Sequence, residues 1–211
     1  MTHILIADDH EVVRSGLRFI LEGRSGWQIV AEAADGKEAI DKAIETKPDV
    51  AIIDYSLPVM NGIEATRQIR ARLPKTEVLI FTMHDSDALL GEVLQAGARA
   101  FLLKSEAQHF LIGAVESLSA HKPFFTGKLS EKLLESFLAT QGESSGPTLS
   151  PRERVVVQLI AEGHSNKEMS TILHLSVKTI ETHRAAAMRK LGITSTAGLV
   201  RYAIRNKLIE P

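Results

Sequence analysis

The first half of the chain alternates between short apolar runs, rich in β-branched residues, and longer segments with helical periodicity. Val13, Leu17 and Leu21, for example, recur at a spacing that places them on one face of a helix. Strands that alternate with helices are typical of βαβ units, whose parallel sheet is covered by helices on both faces. The apolar runs predict five strands, at residues 3–7, 28–32, 50–53, 78–81 and 100–103.

The second half of the chain has a different pattern. A helical pattern at 129–138 leads into a polar stretch at 141–147, where Gly, Ser and Pro are concentrated as in a linker. From residue 149 onward only helices are predicted, at 151–162, 166–173, 177–191 and 196–207. We therefore expect two domains, and the predicted bounds are 1–124 for the first, 125–147 for a helical and flexible linker, and 148–211 for the second.

Charge and composition narrow the possible functions. Residues 1–127 carry 18 acidic and 13 basic side chains, whereas residues 148–211 carry 5 acidic and 10 basic ones, which suggests a polyanion as partner of the second unit. The chain contains no Cys, which excludes disulfides, thiolate metal sites and a Cys nucleophile. Its apolar runs fall far short of the roughly 18 residues of a membrane span. We therefore expect a cytoplasmic protein that does not contact membranes.

Polar side chains follow the predicted strands at the points where these end. Asp8 and Asp9 follow the first strand, and Asp54 follows the third. Ligand sites of open parallel sheets lie at the carboxyl ends of the strands, and a strand order of 2-1-3-4-5 would bring these carboxylates together. Clustered carboxylates need a cation between them, and oxygen ligands favour Mg²⁺. Thr82 and Lys104 end the fourth and fifth strands, and the combination suits a phosphoryl group carried on a carboxylate.

The same half of the chain carries a series of short motifs. In order along the chain they are Asp8-Asp9, Asp54, Leu57-Pro58, Asn61-Gly62, Thr82, Gly97-Ala98 and the run FLLK at 101–104. Together they strongly resemble a two-component receiver domain over about residues 1–122. The resemblance implies an α/β, flavodoxin-like (βα)5 fold. It also implies that Asp54 accepts a phosphoryl group from a sensor histidine kinase.

The resemblance assigns roles to the remaining residues of these motifs. It implies that Mg²⁺ is held by Asp9 as the chief carboxylate, Asp8 largely through water, Asp54, and the backbone carbonyl of Ser56. Thr82 and Lys104 would bind phosphoryl oxygens. Phe101 would be the aromatic side chain that reorients when Thr82 moves toward the phosphoryl group.

The predicted helix at 177–191 has two distinct faces. Its apolar arc predicts the side that packs in the core and consists of Val177, Ile180, Ala187, Met188 and Leu191. A different and mostly polar arc consists of Lys178, Glu181, Thr182, Ala185 and Arg189. A short predicted helix at 166–173 precedes it across a tight link. This is the pattern of a helix-turn-helix, whose second helix lies in the major groove of DNA.

Four motifs in the second half are LSPRER at 149–154, GHSNKE at 163–168, LSVKTIETHR at 175–184 and MRKLG at 188–192. They closely resemble the LuxR-type DNA-binding domain, an all-α domain of four helices. A receiver, a linker and this domain together resemble a response regulator of the NarL/FixJ subfamily, which implies binding to double-stranded DNA and a homodimer when phosphorylated. The resemblance places these residues at or near DNA: Lys178, Thr179, Glu181, Thr182 and Ala185. Candidate contacts to the DNA backbone are Lys167, Arg184, Arg189 and Lys190.

Two other functions fit parts of the pattern. A phospho-aspartyl phosphatase or phosphotransferase needs a second acid or base beside its nucleophile, and Asp54-Tyr55-Ser56 offers none, so we do not expect an enzyme. A DNA-binding regulator with a vestigial receiver would act without phosphorylation. The intact set of aspartates, Thr82 and Lys104 argues against this second alternative but leaves it open.

Overall fold

The structure is a computed structural model that describes residues 1–83, 87–127, 149–206, 208 and 209. Among these, residues 1–57 and 61–127 make up most of one compact unit, and residues 149–206 make up most of a second. The helical pattern at 129–138 and all but the first three residues of the predicted linker lie outside the described residues. No helix in the described part of the chain is long and apolar enough to cross a membrane.

The first unit is built on a five-stranded parallel sheet. Its strands are β1 (Thr2–Ala7), β2 (Trp27–Ala33), β3 (Val50–Asp54), β4 (Glu77–Thr82) and β5 (Ala100–Leu103). They lie in the order β2-β1-β3-β4-β5, and every neighbouring pair is parallel. Both the strand order and the flavodoxin-like fold class are therefore confirmed. Because Ala7 pairs with Ile53, β1 and β3 end side by side.

Helices cover both faces of this sheet. In chain order they are α1 (Glu11–Glu22), α2 (Gly36–Thr46), α3 (Gly62–Arg72), α4 (Asp87–Gln95) and α5 (Ala107–Ser119), the last preceded by a 3-10 turn at Lys104–Glu106. Leu17 and Leu21 of α1 and Leu111 of α5 pack against Ile4 and Ile6 of β1 in the main core. All residues of β3 and β4 are buried, which explains why their sequences read as continuous apolar runs.

The second unit is helical throughout its described residues. Its helices are α6 (Pro151–Ala161), α7 (Asn166–Leu173), α8 (Val177–Leu191) and α9 (Thr196–Arg205). The predicted helix at 196–207 is thus wrong at its C-terminal end, because α9 ends at Arg205 and Asn206 is its cap. Ser150 and Glu153 form a capping box at the start of α6.

The core face of α8 agrees with the predicted arc at four of its five positions. Ile180 and Ala187 are fully buried, and Met188 and Leu191 are partly buried. Val177 is 40% exposed, so its prediction as a core residue is wrong. It is the first residue of α8, and helical side chains point toward the N-terminus, so this one projects past the end of the helix.

Candidate functional site

A lysine bridges two buried carboxylates at the carboxyl edge of the sheet. Asp8 follows β1 and Asp54 ends β3, and the two residues are 0% and 3% exposed. Lys104, directly after β5, places Nζ 2.7 Å from Asp8 Oδ2 and 3.1 Å from Asp54 Oδ2. The structure thus brings together three groups that the sequence separates by up to 96 positions, because parallel strands all end at one edge.

The burial of this cluster changes its protonation equilibria. Burial raises the pKa of Asp54 to about 6; the positive charge of Lys104 opposes the rise, and the negative charge of Asp8 adds to it. Burial also lowers the pKa of Lys104, but the hydrogen bond to Asp8 and the charge of Asp54 outweigh this and raise it above its ordinary value. The lysine therefore remains a cation that compensates one of two carboxylate charges.

Asp9 and His10 extend the cluster toward solvent. His10 Nδ1 lies 2.8 Å from Asp9 Oδ1 and 3.4 Å from Asp8 Oδ1. Ligand atoms of Asp8, Asp9 and His10 all lie within 4.8 Å of one another. His10 is not among the predicted site residues, and its only signal in the sequence is its position directly after the acidic pair.

The donor set fits a magnesium ion. Asp8, Asp9 and Asp54 offer carboxylate oxygens at one edge of the sheet, and the Ser56 carbonyl follows two residues after Asp54. Hard oxygen donors with part of the site open to water are what Mg²⁺ requires. Asp9 leaves the site open, because 34% of its side chain is exposed. Beside Asp8 and Asp9, His10 adds a ring nitrogen as a further possible ligand atom.

Thr82 and Phe101 lie on the strands next to the cluster. Thr82 is fully buried at the end of β4 and pairs in register with Leu103, the residue before Lys104. Phe101 pairs with Ile80 inside the sheet and is 1% exposed. The hydroxyl of Thr82 therefore lies at the same edge as the carboxylates, whereas the ring of Phe101 is packed in the core.

Gly62 allows α3 to begin against the backbone of Asp54. A Cβ atom at this position would lie 2.1 Å from the Asp54 carbonyl oxygen, far inside van der Waals contact. The Gly62 N–H donates to the Tyr55 carbonyl at 2.9 Å, and Asn61 caps the helix by accepting from the Glu64 N–H at 3.0 Å. The Asn61-Gly62 motif thus fixes the loop that follows Asp54.

The second unit contains the predicted helix-turn-helix. α7 ends at Leu173, and its C-cap His174 has a left-handed φ of 53°. α8 is capped by Ser176, whose Oγ accepts from the Thr179 N–H at 3.1 Å. Ser170 Oγ donates to the Leu175 carbonyl at 2.6 Å across the turn. Caps and side-chain hydrogen bonds therefore fix the link between the two helices.

The polar arc of α8 is exposed. Its residues Lys178, Glu181, Thr182, Ala185 and Arg189 are all exposed to solvent, as is Lys167 on α7, and Thr179 is partly exposed. Thr182 Oγ1 donates to the Lys178 carbonyl at 2.9 Å, which uses its hydroxyl hydrogen and leaves the oxygen as an acceptor beside the methyl group. The arc offers one cation, one carboxylate and small apolar groups within its first two turns.

Two predicted DNA contacts have partners within the unit. Lys190 Nζ lies 2.7 Å from Oε2 of Glu153, a buried carboxylate of the α6 capping box. Burial raises the pKa of Glu153, but hydrogen bonds from Lys190 and the Ser150 N–H outweigh this and lower it. Arg184 donates to Thr196 Oγ1 at 2.7 Å and so links α8 to α9. Both side chains therefore help to pack α8, whatever else they contact.

Comparison with known proteins identifies both units. Residues 4–116 match the response regulator receiver domain family, and residues 147–203 match the luxR family of bacterial regulatory proteins. The chain is a response regulator of the LuxR family. This response regulator is 39% identical over 214 residues to the oxygen regulatory protein NreC of Staphylococcus aureus (strain JH9), which covers 98% of the chain and 99% of NreC. The predicted resemblance to a receiver followed by a LuxR-type domain is confirmed.

Solved structures of other response regulators are similar to this one. A two-component response regulator of the LuxR family from Aurantimonas sp. SI85-9A1 is 37% identical, with a TM-score of 0.62 over 65% of this chain and 99% of that one. RcsB from Salmonella enterica serovar Typhimurium, bound to promoter rprA in the presence of the phosphomimetic BeF3⁻, is 30% identical. It has a TM-score of 0.63 over 95% of this response regulator and 97% of RcsB.

Proposed function

We propose that this response regulator is a transcription factor that phosphorylation of Asp54 by a sensor histidine kinase switches on. One observation carries the proposal: Asp54 is a buried carboxylate at a strand end, held 3.1 Å from the Lys104 ammonium. A carboxylate in this position can act as a nucleophile, and the lysine can compensate the charge that the phosphoryl group brings. Thr82 at the same edge offers a hydroxyl to a phosphoryl oxygen.

We assign the Mg²⁺ ligands to four groups of this edge: Asp9, Asp8 largely through water, Asp54, and the backbone carbonyl of Ser56. When bound, the ion would compensate the negative charge of the attacking carboxylate and of the phosphoryl oxygens. The residues of the chain hold this arrangement in place. The Lys104 ammonium fixes Asp8 and Asp54, and Asp9, with 34% of its side chain exposed, would bind the ion from the solvent side.

The switch would connect this site to the surface of the receiver. We propose that Thr82 moves toward the phosphoryl group, that Phe101 reorients into the space it leaves, and that the receiver then forms a homodimer. A phosphoryl charge can shift a conformational equilibrium only if it stabilises one of two conformers. Thr82 is buried at the end of β4, next to the strand that carries the packed ring of Phe101, so two arrangements of these side chains would supply the two conformers. The bounds that we propose are 1–124 for the receiver, 125–147 for the linker and 148–211 for the DNA-binding domain.

The output of the switch would be DNA binding by α8 in the major groove. Lys178, Thr179, Glu181, Thr182 and Ala185 form the proposed contact face, with Lys167, Arg184, Arg189 and Lys190 as contacts to phosphates. Of these four, Arg184 and Lys190 already bond within the unit, which makes Lys167 and Arg189 the stronger candidates. Because the face offers few donors for base edges, phosphate contacts must supply much of the affinity. Because the proposed target is genomic DNA, the protein would act in the cytoplasm.

The Lys178→Ala variant tests the DNA-binding face. Lys178 is exposed on the arc, so its loss should weaken binding to all duplexes alike and reduce the slope of log K against log salt by about 1 for each contact removed. Changes of Glu181 or Thr182 should instead alter the preferred base sequence. Fluorescence anisotropy on two duplexes of different sequence, at several salt concentrations, measures both quantities.

Lys75→Ala is the matched control, because Lys75 is equally exposed but lies in the receiver. It should leave affinity and salt slope unchanged. A Lys178→Ala protein with an unchanged salt slope would refute the placement of this residue against phosphates. Equal binding by wild-type protein before and after phosphorylation would favour the alternative of a regulator with a vestigial receiver.

A further inference from the structure

Arg14 of α1 is not among the proposed Mg²⁺ or phosphoryl ligands, but it contacts the backbone of Asp8 at the same edge of the sheet. Its Nη1 donates to the backbone carbonyl of Asp8 at 2.7 Å, and only 17% of its side chain is exposed. The Arg14 guanidinium also lies near a carboxylate of β2, with Nε 3.6 Å from Glu32 Oε2. It therefore joins the strand end that carries Asp8 to the neighbouring strand.

This hydrogen bond completes the anchoring of Asp8. The Asp8 N–H donates to the Ala33 carbonyl at 3.1 Å, Oδ1 accepts from the His10 N–H at 3.0 Å, and Oδ2 contacts Lys104. The remaining polar group of the residue is the carbonyl that Arg14 holds. That carbonyl belongs to the peptide plane between Asp8 and Asp9, so its orientation sets the direction in which the Asp9 side chain leaves the backbone.

We propose that Arg14 is a positioning residue for Mg²⁺ binding, which acts by fixing the Asp8–Asp9 peptide so that the Asp9 carboxylate faces the site. The inference rests on the proposed function, since it concerns the same metal site. The planar guanidinium suits the task, because it can donate to the Asp8 carbonyl while it pairs with Glu32.

A purely electrostatic role predicts the opposite effect. Arg14 is a cation close to a site for a cation, so its removal makes the edge more negative and should strengthen Mg²⁺ binding if charge alone mattered. Removal of a positioning group should weaken binding, by about tenfold for an outer-shell partner of a metal ligand. The sign of the change therefore distinguishes the two roles.

Arg18 provides a matched control. It lies one turn further along α1 and pairs with Oε1 of the same Glu32, but its contacts in the described part of the chain do not include Asp8. Arg18→Ala thus removes the same charge from the same helix and leaves the Asp8–Asp9 peptide held.

Calorimetric titration of full-length protein with MgCl2 tests the proposal. We expect Arg14→Ala to raise the dissociation constant for Mg²⁺ about tenfold. Arg14→Lys, which keeps the charge but offers a single donating nitrogen in place of the planar fork, should lose roughly threefold, and Arg18→Ala should bind like wild type. Phosphoryl uptake from acetyl phosphate should reach the wild-type maximum in Arg14→Ala, at a higher Mg²⁺ concentration.

Unchanged or tighter Mg²⁺ binding by Arg14→Ala would overturn the proposal, and so would an equal loss in Arg18→Ala. If Arg14→Ala unfolds at a lower denaturant concentration than Arg18→Ala, the Arg14→Lys protein decides: wild-type affinity in that variant would equally refute the inference. Failure of the wild-type protein to bind Mg²⁺ or to take up a phosphoryl group would instead refute the proposed function.

Discussion

Asp54→Asn will reduce phosphoryl uptake to background. The variant keeps the shape of a buried side chain but lacks the nucleophilic oxygen, and Lys104 keeps its contact with Asp8, so the fold should be retained. Incubation of the full-length protein with acetyl phosphate and Mg²⁺, followed by intact mass spectrometry, measures the phosphorylated fraction. The expected change is the loss of all Mg²⁺-dependent labelling.

Asp41→Asn is a suitable control for this result, because Asp41 is an exposed carboxylate within α2 and does not end a strand. It should be labelled like wild type. Full labelling of the Asp54→Asn protein would show that another residue accepts the phosphoryl group, and the assignment of Asp54 would then be wrong.

Gly62→Ala should destabilise the receiver by about 3 kcal/mol, at the upper end of the usual cost of overpacking. The new methyl carbon would lie 2.1 Å from the Asp54 carbonyl oxygen, and a backbone atom cannot move aside as the end of a flexible side chain can. Either α3 or the loop after Asp54 must shift, so phosphoryl uptake should fall as well. Urea unfolding followed by circular dichroism measures the loss of stability.

Gly16→Ala adds the same methyl group but should have the opposite effect on stability. Gly16 lies within α1, and nothing is within 4 Å of a Cβ placed there. Alanine is the better helix former, so this variant should gain up to about 1 kcal/mol of stability. A Gly62→Ala protein as stable as wild type would contradict the close approach of α3 to the Asp54 backbone.

Much of the receiver site could be predicted from the sequence with general rules of protein structure. Parallel strands end at one edge, so residues at the ends of β1, β3 and β5 had to meet once the strand order was right. The caps of α6, α7 and α8 follow in the same way from serines that precede helical patterns. Local rules of this kind do not depend on how side chains pack.

Other features depend on packing over long separations, which no local pattern encodes. The pairing of Lys190 with buried Glu153 joins residues 37 positions apart, and the contact of Arg184 with Thr196 depends on how α9 lies against α8. Both residues are among the predicted phosphate contacts, and nothing in the local sequence pattern indicates these partners within the unit. The exposure of Val177 could not be predicted from a wheel that treats every turn of a helix alike.

The last helix illustrates the same limit. Leu199, Tyr202 and Ala203 form an apolar patch in the sequence, and this pattern fits a dimer contact and intradomain packing equally well. Leu199 and Ala203 are fully buried within the second unit, so their apolar character is accounted for by packing inside it. Tyr202 is only partly buried, so a dimer contact through this residue stays a prediction.

Sedimentation equilibrium with and without beryllofluoride tests whether phosphorylation of Asp54 drives dimerisation and DNA binding. Prior exposure to beryllofluoride should block labelling by acetyl phosphate, which verifies that Asp54 is occupied. We then expect the mass to rise from that of one 23.1 kDa chain to that of two, and the affinity for a target duplex to rise roughly tenfold at constant salt. Neither change should occur in Asp54→Asn. An unchanged mass and an unchanged DNA affinity at full occupancy of Asp54 would contradict the account.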